Sequence, residues 1–126
     1  MSEAQHQTAL FDWAERCKAR WPELEMLFAV PNGGSRHKIE ASRLKRQGVK
    51  AGVADIFLDV ARQGYHGLRI ELKRPAEGGK RKGTVSVEQK EWIERWLQHG
   101  YFACVCYGWD EARTVIENYI GFSPTK

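Results

Sequence analysis

Apolar residues at Leu10, Trp13, Ala14, Cys17 and Trp21 recur at intervals of three and four, which predicts an amphipathic helix over roughly residues 3–20, capped by Ser2 and ended by Pro22. Leu27-Phe28-Ala29-Val30 then reads as a short apolar strand, with Pro31-Asn32-Gly33-Gly34 as turn punctuation. Ser35 is placed to cap a second helix that runs to Gln47 and stops at Gly48, a residue tolerant of left-handed geometry. Residues 55–60 and 68–74 are strand candidates, and Arg62-Gln63-Gly64-Tyr65-His66-Gly67 between them suits an antiparallel hairpin. Residues 75–83, Gly-rich and charged, read as a mobile surface loop. Ser86-Val87-Glu88-Gln89 fits a capping box and opens a helix with Trp92, Ile93, Trp96 and Leu97 at helical spacing, closed by Gly100. The apolar run 101–107 predicts a strand buried on both faces, and Asp110 the cap of a last helix whose inner face carries Val115, Ile116, Tyr119 and Ile120. This order of elements predicts a mixed α/β fold, a central sheet of about four strands flanked by helices.

Composition narrows the class. With 126 residues, 42% hydrophobic and 29% charged, the chain suits one compact domain spanning residues 1–126. Five Trp, five Phe and four Tyr can fill its core without disulfides or a structural metal. The longest apolar run falls far short of the ~20 residues needed to cross a bilayer, and the polar, acidic start is unlike a secretory signal. An intracellular, cytoplasmic protein with no membrane association is therefore expected. The three Cys, at 17, 104 and 106, form no C-x-x-C pair, so they read as buried thiols rather than a disulfide or zinc site.

The net charge of +4 is small, but its distribution is uneven. Residues 36–50 carry a local +5 and residues 73–82 a local +4, leaving −5 for the remainder. Basic clusters of this kind suit a polyanion, whose condensed counterions are released on contact, although a solvated helix face and a charged loop would look the same.

Strand alternation places Glu71 and Lys73 on one face and Ile70 and Leu72 on the other. In the preceding strand Asp55, Phe57 and Asp59 share one face, and Ile56, Leu58 and Val60 share the other. If the hairpin sets Asp55 beside Glu71, two carboxylates and an ammonium meet. Unit charges ~4 Å apart at an effective dielectric near 20 interact by about 4 kcal/mol, so bare carboxylates there repel, and a divalent cation reverses the penalty. Two carboxylates with waters and a substrate phosphate are a usual Mg²⁺ environment, and such a metal generates hydroxide and polarises the phosphate. Lys73 would orient the attacking water or stabilise charge on the phosphate; the bland alternative is a surface ion-pair ladder. Asn32, Gly33, Gly34 and Ser35 lead into a helix whose free N–H groups could hold a phosphate, assisted by Arg36 and Lys38, or they form a tight turn with a capping Ser. Lys80, Arg81 and Lys82 could clasp a second backbone segment or serve as a solubilising tip.

The stretch Gly52-Val53-Ala54-Asp55-Ile56-Phe57-Leu58, followed by Ile70-Glu71-Leu72-Lys73, resembles the bipartite active-site motif of the PD-(D/E)XK nuclease superfamily, and more closely a VRR-NUC domain. The likeness extends through Glu3, Pro31-Asn32-Gly33-Gly34, Gly48, Gly52, Ser86, Gln89, Trp92 and Gly100-Tyr101. Ala54 stands where the family commonly has Pro, which bears on strand geometry more than on chemistry. The resemblance implies a restriction-endonuclease-like core in which Asp55 and Glu71 bind Mg²⁺ or Mn²⁺ with the Leu72 carbonyl as a further ligand. It also implies that Lys73 is the catalytic lysine and that Glu3 is an additional acidic group near the metal. Gln89 aligns with a glutamine beside the family's active site, and it is equally the capping-box partner of Ser86.

The activity so implied is metal-dependent hydrolysis of DNA phosphodiester bonds by a structure-selective endonuclease. A homodimer acting on four-way (Holliday) junctions during DNA repair, in a bacterial or phage-infected cell, is the expected form, with Trp109 or Tyr65 as possible interface anchors. Two alternatives stay open: a catalytically inactive DNA-binding module with a nuclease fold, and a sequence-specific or flap nuclease of the same superfamily.

Overall fold

The N-terminal helical period forms α1 (Glu3–Cys17), and its start is a complete capping box: the Ser2 hydroxyl accepts the Gln5 N–H while the Gln5 side chain accepts the Ser2 N–H. The computed structural model describes residues 1–31 and 38–121. The helix ends earlier than its periodicity suggests, because the N–H groups of Arg20 and Trp21 fold back onto the Cys17 carbonyl and a 3₁₀ turn at Pro22–Met26 follows. The remaining elements are β1 (Leu27–Ala29), α2 (Lys38–Arg46), β2 (Ile56–Leu58), β3 (Leu68–Lys73), α3 (Val87–Gln98), β4 (Phe102–Tyr107) and α4 (Trp109–Ile120).

The four strands form one mixed sheet in the order β1-β2-β3-β4, and four helices accompany it among the described residues. β1 with β2 and β2 with β3 are antiparallel; β3 and β4 are parallel because α3 carries the chain back between them. The β2–β3 hairpin closes on an Arg62–Tyr65 bridge with Gln63 (φ 54°) and Gly64 (φ 87°) both left-handed, the turn whose twist matches its strands.

Period-two alternation sorts the two faces. Ile56, Leu58, Leu68, Ile70, Leu72 and Cys106 pack with Leu10, Trp13 and Ala14 of α1 and with Ala112, Ile116 and Tyr119 of α4 to form the core. Each such large side chain stabilises the fold by about 1.5–3 kcal/mol through burial. The opposite face carries Phe57, Arg69, Glu71 and Lys73 and is covered by α3, whose Trp96 meets Phe57 edge-on at 5.7 Å. Arg69 is buried there, paired with Asp59 at 2.8 Å and stacked on Phe57, Trp96 and Tyr101.

Three expectations need correction. β4 is an edge strand, with only Ala103 and Cys106 buried, because among the described residues no fifth strand covers its outer side. Asp110 lies in the first turn of α4 and pairs with Arg113 at 2.7 Å; the cap position belongs to Gly108, whose φ of 91° and close packing against His6 and Pro75 suit glycine. Trp109 packs against the core and so is no surface anchor. Residues 75–83 do lie on the surface, but they are held by their own bonds: Gly83 N–H to the Arg74 carbonyl, a reciprocal Glu77–Lys80 pair, and the Arg74 guanidinium on the Arg81 carbonyl. Cys104 and Cys106 are free thiols with sulfurs 3.8 Å apart. No helix among the described residues is long and apolar enough to cross a membrane.

Candidate active site

The β2–β3 register pairs Ile56 with Ile70, so Asp55, one residue before β2, arrives opposite Glu71. Asp55 bridges two strands. Its carbonyl accepts the Val30 N–H at 2.7 Å, continuing the β1 ladder, while its carboxylate Oδ2 accepts the Leu72 N–H at 3.0 Å. That carboxylate thus takes the place of a ladder partner where β2 has not yet begun.

Glu71 is only 2% exposed, in the middle of the fully buried β3. Two donors address the same oxygen: Gln89 Nε2 donates to Oε2 at 3.0 Å, and the Lys73 ammonium lies 3.6 Å from it. Gln89 caps α3 and also contacts Glu71. Its Oε1 accepts the Ser86 N–H at 2.8 Å as the capping-box partner, and its amide nitrogen reaches Glu71, so one side chain ties the start of α3 to β3. Gly52 makes this approach possible. It has φ +90°, and a Cβ there would stand 2.5 Å from the Glu88 carbonyl carbon, so the segment before Asp55 rests directly on the first turn of α3.

The carboxyl of Glu71 is pushed up to about 9. Burial is the largest cause, followed by the neighbouring Asp55 carboxylate; Lys73 opposes the rise and Glu3 adds to it. Glu3 is exposed in the first turn of α1, and its carboxyl is also raised, first by partial burial, then with Lys73 and Arg74 opposing and Asp55 reinforcing.

A divalent cation fits this site on two grounds. Glu71 Oε1 is buried without a hydrogen-bond partner, and the groups around it are hard oxygen donors whose mutual repulsion a cation would relieve. Among the described residues no three His, Cys, Asp or Glu side chains converge as a ligand cluster. The Asp55–Glu71 pair would therefore need a backbone carbonyl, water and substrate to complete a coordination shell, with Glu3 contributing nearby charge. The Leu72 carbonyl is suitably aimed. The Lys73 carbonyl accepts the Gly108 N–H on the β4 side, so by alternation that of Leu72 points to the β2 side, where Asp55 holds the Leu72 N–H.

Asp55, Glu71, Lys73 and Gln89 are thus brought together, with Glu3 close by. Lys80, Arg81 and Lys82 lie exposed on the turn after β3. Asn32, Gly33, Gly34, Ser35 and Arg36 lie outside the described residues, and Lys38 is described only as the first residue of α2. Sequence reasoning missed Arg69, although the alternation that paired Glu71 with Lys73 extends to it, and it missed Lys90 and Tyr107, which flank Gln89 and Lys73.

The VRR-NUC domain profile matches residues 1–110. A solved structure described as a VRR_NUC domain protein aligns over 96% of this chain and 89% of its own, at 37% identity with a TM-score of 0.79. A search of curated proteins finds no match. With the family profile spanning most of the sequence and a structural relative sharing more than a third of its residues, the chain belongs to the VRR-NUC domain family.

Proposed function

We propose that this chain is a Mg²⁺- or Mn²⁺-dependent endonuclease that hydrolyses DNA phosphodiester bonds, with Asp55, Glu71, the Leu72 carbonyl and Lys73 at its centre. The observation that carries this reading is the buried Glu71 carboxylate, which has one oxygen held by Gln89 and Lys73 and the other without a partner beside Asp55. VRR-NUC is a nuclease domain, which supplies the reaction class. A divalent cation held by Asp55, Glu71 and the Leu72 carbonyl would polarise the phosphate and acidify a water. Gln89 keeps the Glu71 carboxylate from rotating, so its free oxygen stays directed at the site. Lys73 presents a buried ammonium to the phosphate oxygens, where negative charge grows during attack. Glu3 strengthens the negative field that attracts a cation. Lys80, Arg81 and Lys82, together with Arg43, Lys45, Arg46 and Lys50, provide exposed positive charge for the DNA backbone.

Branched DNA, cut at four-way junctions by a homodimer, is the substrate form we favour. Phe28 in β1 is 41% and Leu97 in α3 46% exposed, apolar side chains that a dimer contact would cover. A twofold dimer would match the symmetry of a junction needing two cuts.

The test is a labelled four-way junction incubated with the full chain and Mg²⁺ or Mn²⁺. Cleavage is expected, lost with EDTA and in Glu71→Gln or Lys73→Ala while junction binding persists. Binding without cleavage under either metal would leave an inactive DNA-binding module, and cutting of linear duplex at one short sequence would point to a sequence-specific nuclease. Sedimentation should give a dimer that Phe28→Asp dissociates.

A further inference from the structure

Beside the catalytic centre lies an open groove of about 600 Å³, lined by Arg81, Lys82, Gly83, Val85, Lys90 and Tyr107 among others, whose aromatic ring the nuclease reading leaves without a role. We infer that it receives an unpaired nucleobase next to the scissile phosphate, stacked on the ring of Tyr107, with the cations around it taking the adjoining backbone phosphate. The inference rests on the nuclease reading only for where the scissile phosphate lies.

Three observations place the groove on the path of the substrate strand. Tyr107 is the parallel-strand partner of Lys73, so the two side chains project from the same face of the sheet. Gly83 rests on the Lys73 stem, where a Cβ would stand 3.3 Å from Cδ, so the wall of the groove is continuous with the lysine. Lys90 follows Gln89 on α3, so adjacent residues serve Glu71 and the groove.

The chemistry of the lining selects the occupant. It holds three cations and no acid, and its one aromatic ring is only half-buried. The Lys82 ammonium sits over that ring, 4.7 Å from its centre. An incoming base offers the ring a π-face in place of the ammonium, and its phosphate offers the displaced Lys82 a stronger counter-charge, so both partners of the cation–π pair are re-satisfied. Every base has such a face, so the groove is indifferent to sequence. It does discriminate pairing, because bases inside an intact duplex are already stacked and cannot present a face without being extruded. Such a groove favours DNA whose bases are splayed at a branch over intact duplex.

The experiment uses the full chain in EDTA, so that DNA is bound without being cut, with a forked DNA carrying 2-aminopurine in its unpaired arm and the fully paired duplex as reference. Binding of the fork should quench 2-aminopurine. Tyr107→Leu should abolish the quench and weaken fork binding by about 5- to 150-fold, the range of one base–aromatic stack, with little change for the duplex, whereas Tyr107→Phe should retain both. Iodouracil placed in the unpaired arm should photo-crosslink wild-type protein at Tyr107 or within residues 81–90, a readout that does not depend on any variant folding. Equal fork affinity for wild type and Tyr107→Leu, equal losses for fork and duplex, or crosslinks mapping elsewhere would each overturn the proposal. Parallel incubations of a labelled four-way junction with Mg²⁺ or Mn²⁺ separate the two readings: fork quenching with no junction cleavage under either metal supports the groove and refutes the nuclease, and junction cleavage without fork quenching does the reverse.

Discussion

Glu71→Gln should stabilise the metal-free protein, and by more as the pH rises. The folded chain holds the Glu71 proton up to about pH 9, whereas an unfolded chain releases it near its ordinary value of 4.5. A group raised in this way contributes its full stability below the unfolded value and loses it as pH climbs toward the folded one, because the native state must either keep a proton that solution no longer favours or bury a charge. The loss is 1.36 kcal/mol per pH unit, at most about 3 kcal/mol at pH 7. For a domain of this size that corresponds to a rise on the order of 10 °C in Tm for the variant. The amide removes the titration while keeping an oxygen for Gln89. Urea unfolding of both proteins in EDTA from pH 5 to 9 measures the effect: the gap should be small at pH 5 and widen by about 1 kcal/mol per pH unit. Added Mg²⁺ should close the gap by stabilising the wild type alone. Parallel curves across this range would show that Glu71 is not held protonated by burial and Asp55, and would remove the physical reason for a cation there.

Other substitutions probe the frame around the site. Gly52→Ala should cost about 2 kcal/mol or more in urea unfolding, and cleavage should fall with it, since a Cβ 2.5 Å from the Glu88 carbonyl carbon at φ +90° forces the first turn of α3 and Gln89 away from Glu71. Ser86→Ala should cost about 1 kcal/mol through loss of the cap on the Gln89 N–H, read as a drop in Tm. Arg69→Met should destabilise by roughly 1–2 kcal/mol in urea, because the rings of Phe57, Trp96 and Tyr101 lose the guanidinium between them, while the exposed Asp59 is left to solvent.

What the amino-acid sequence determined by itself was much of what acts within about one turn of chain, though not the cap of α4 or the end of α1. The Ser2 and Ser86 caps, the left-handed Gly48 and Gly100, the Gln63-Gly64 turn and the alternation of residues 68–73 are local, so each could be read from neighbouring residues and each recurs in the folded chain. Alternation carried the site furthest, since it sets Asp55, Glu71 and Lys73 on chosen faces, and the Gln63-Gly64 turn fixes the register that pairs Ile56 with Ile70. Tertiary structure decided what depends on distance across the chain. Nothing within four residues of Glu71 reveals that one of its oxygens is orphaned, or that Gln89, already committed as a cap, has an amide nitrogen left to reach it. The burial of Arg69, the partial burial of most of β4 and the alignment of Tyr107 with Lys73 likewise follow from which elements came to lie against one another. Burial and charge coupling are properties of surroundings assembled from remote segments, so they exist only once the sheet and α3 have met.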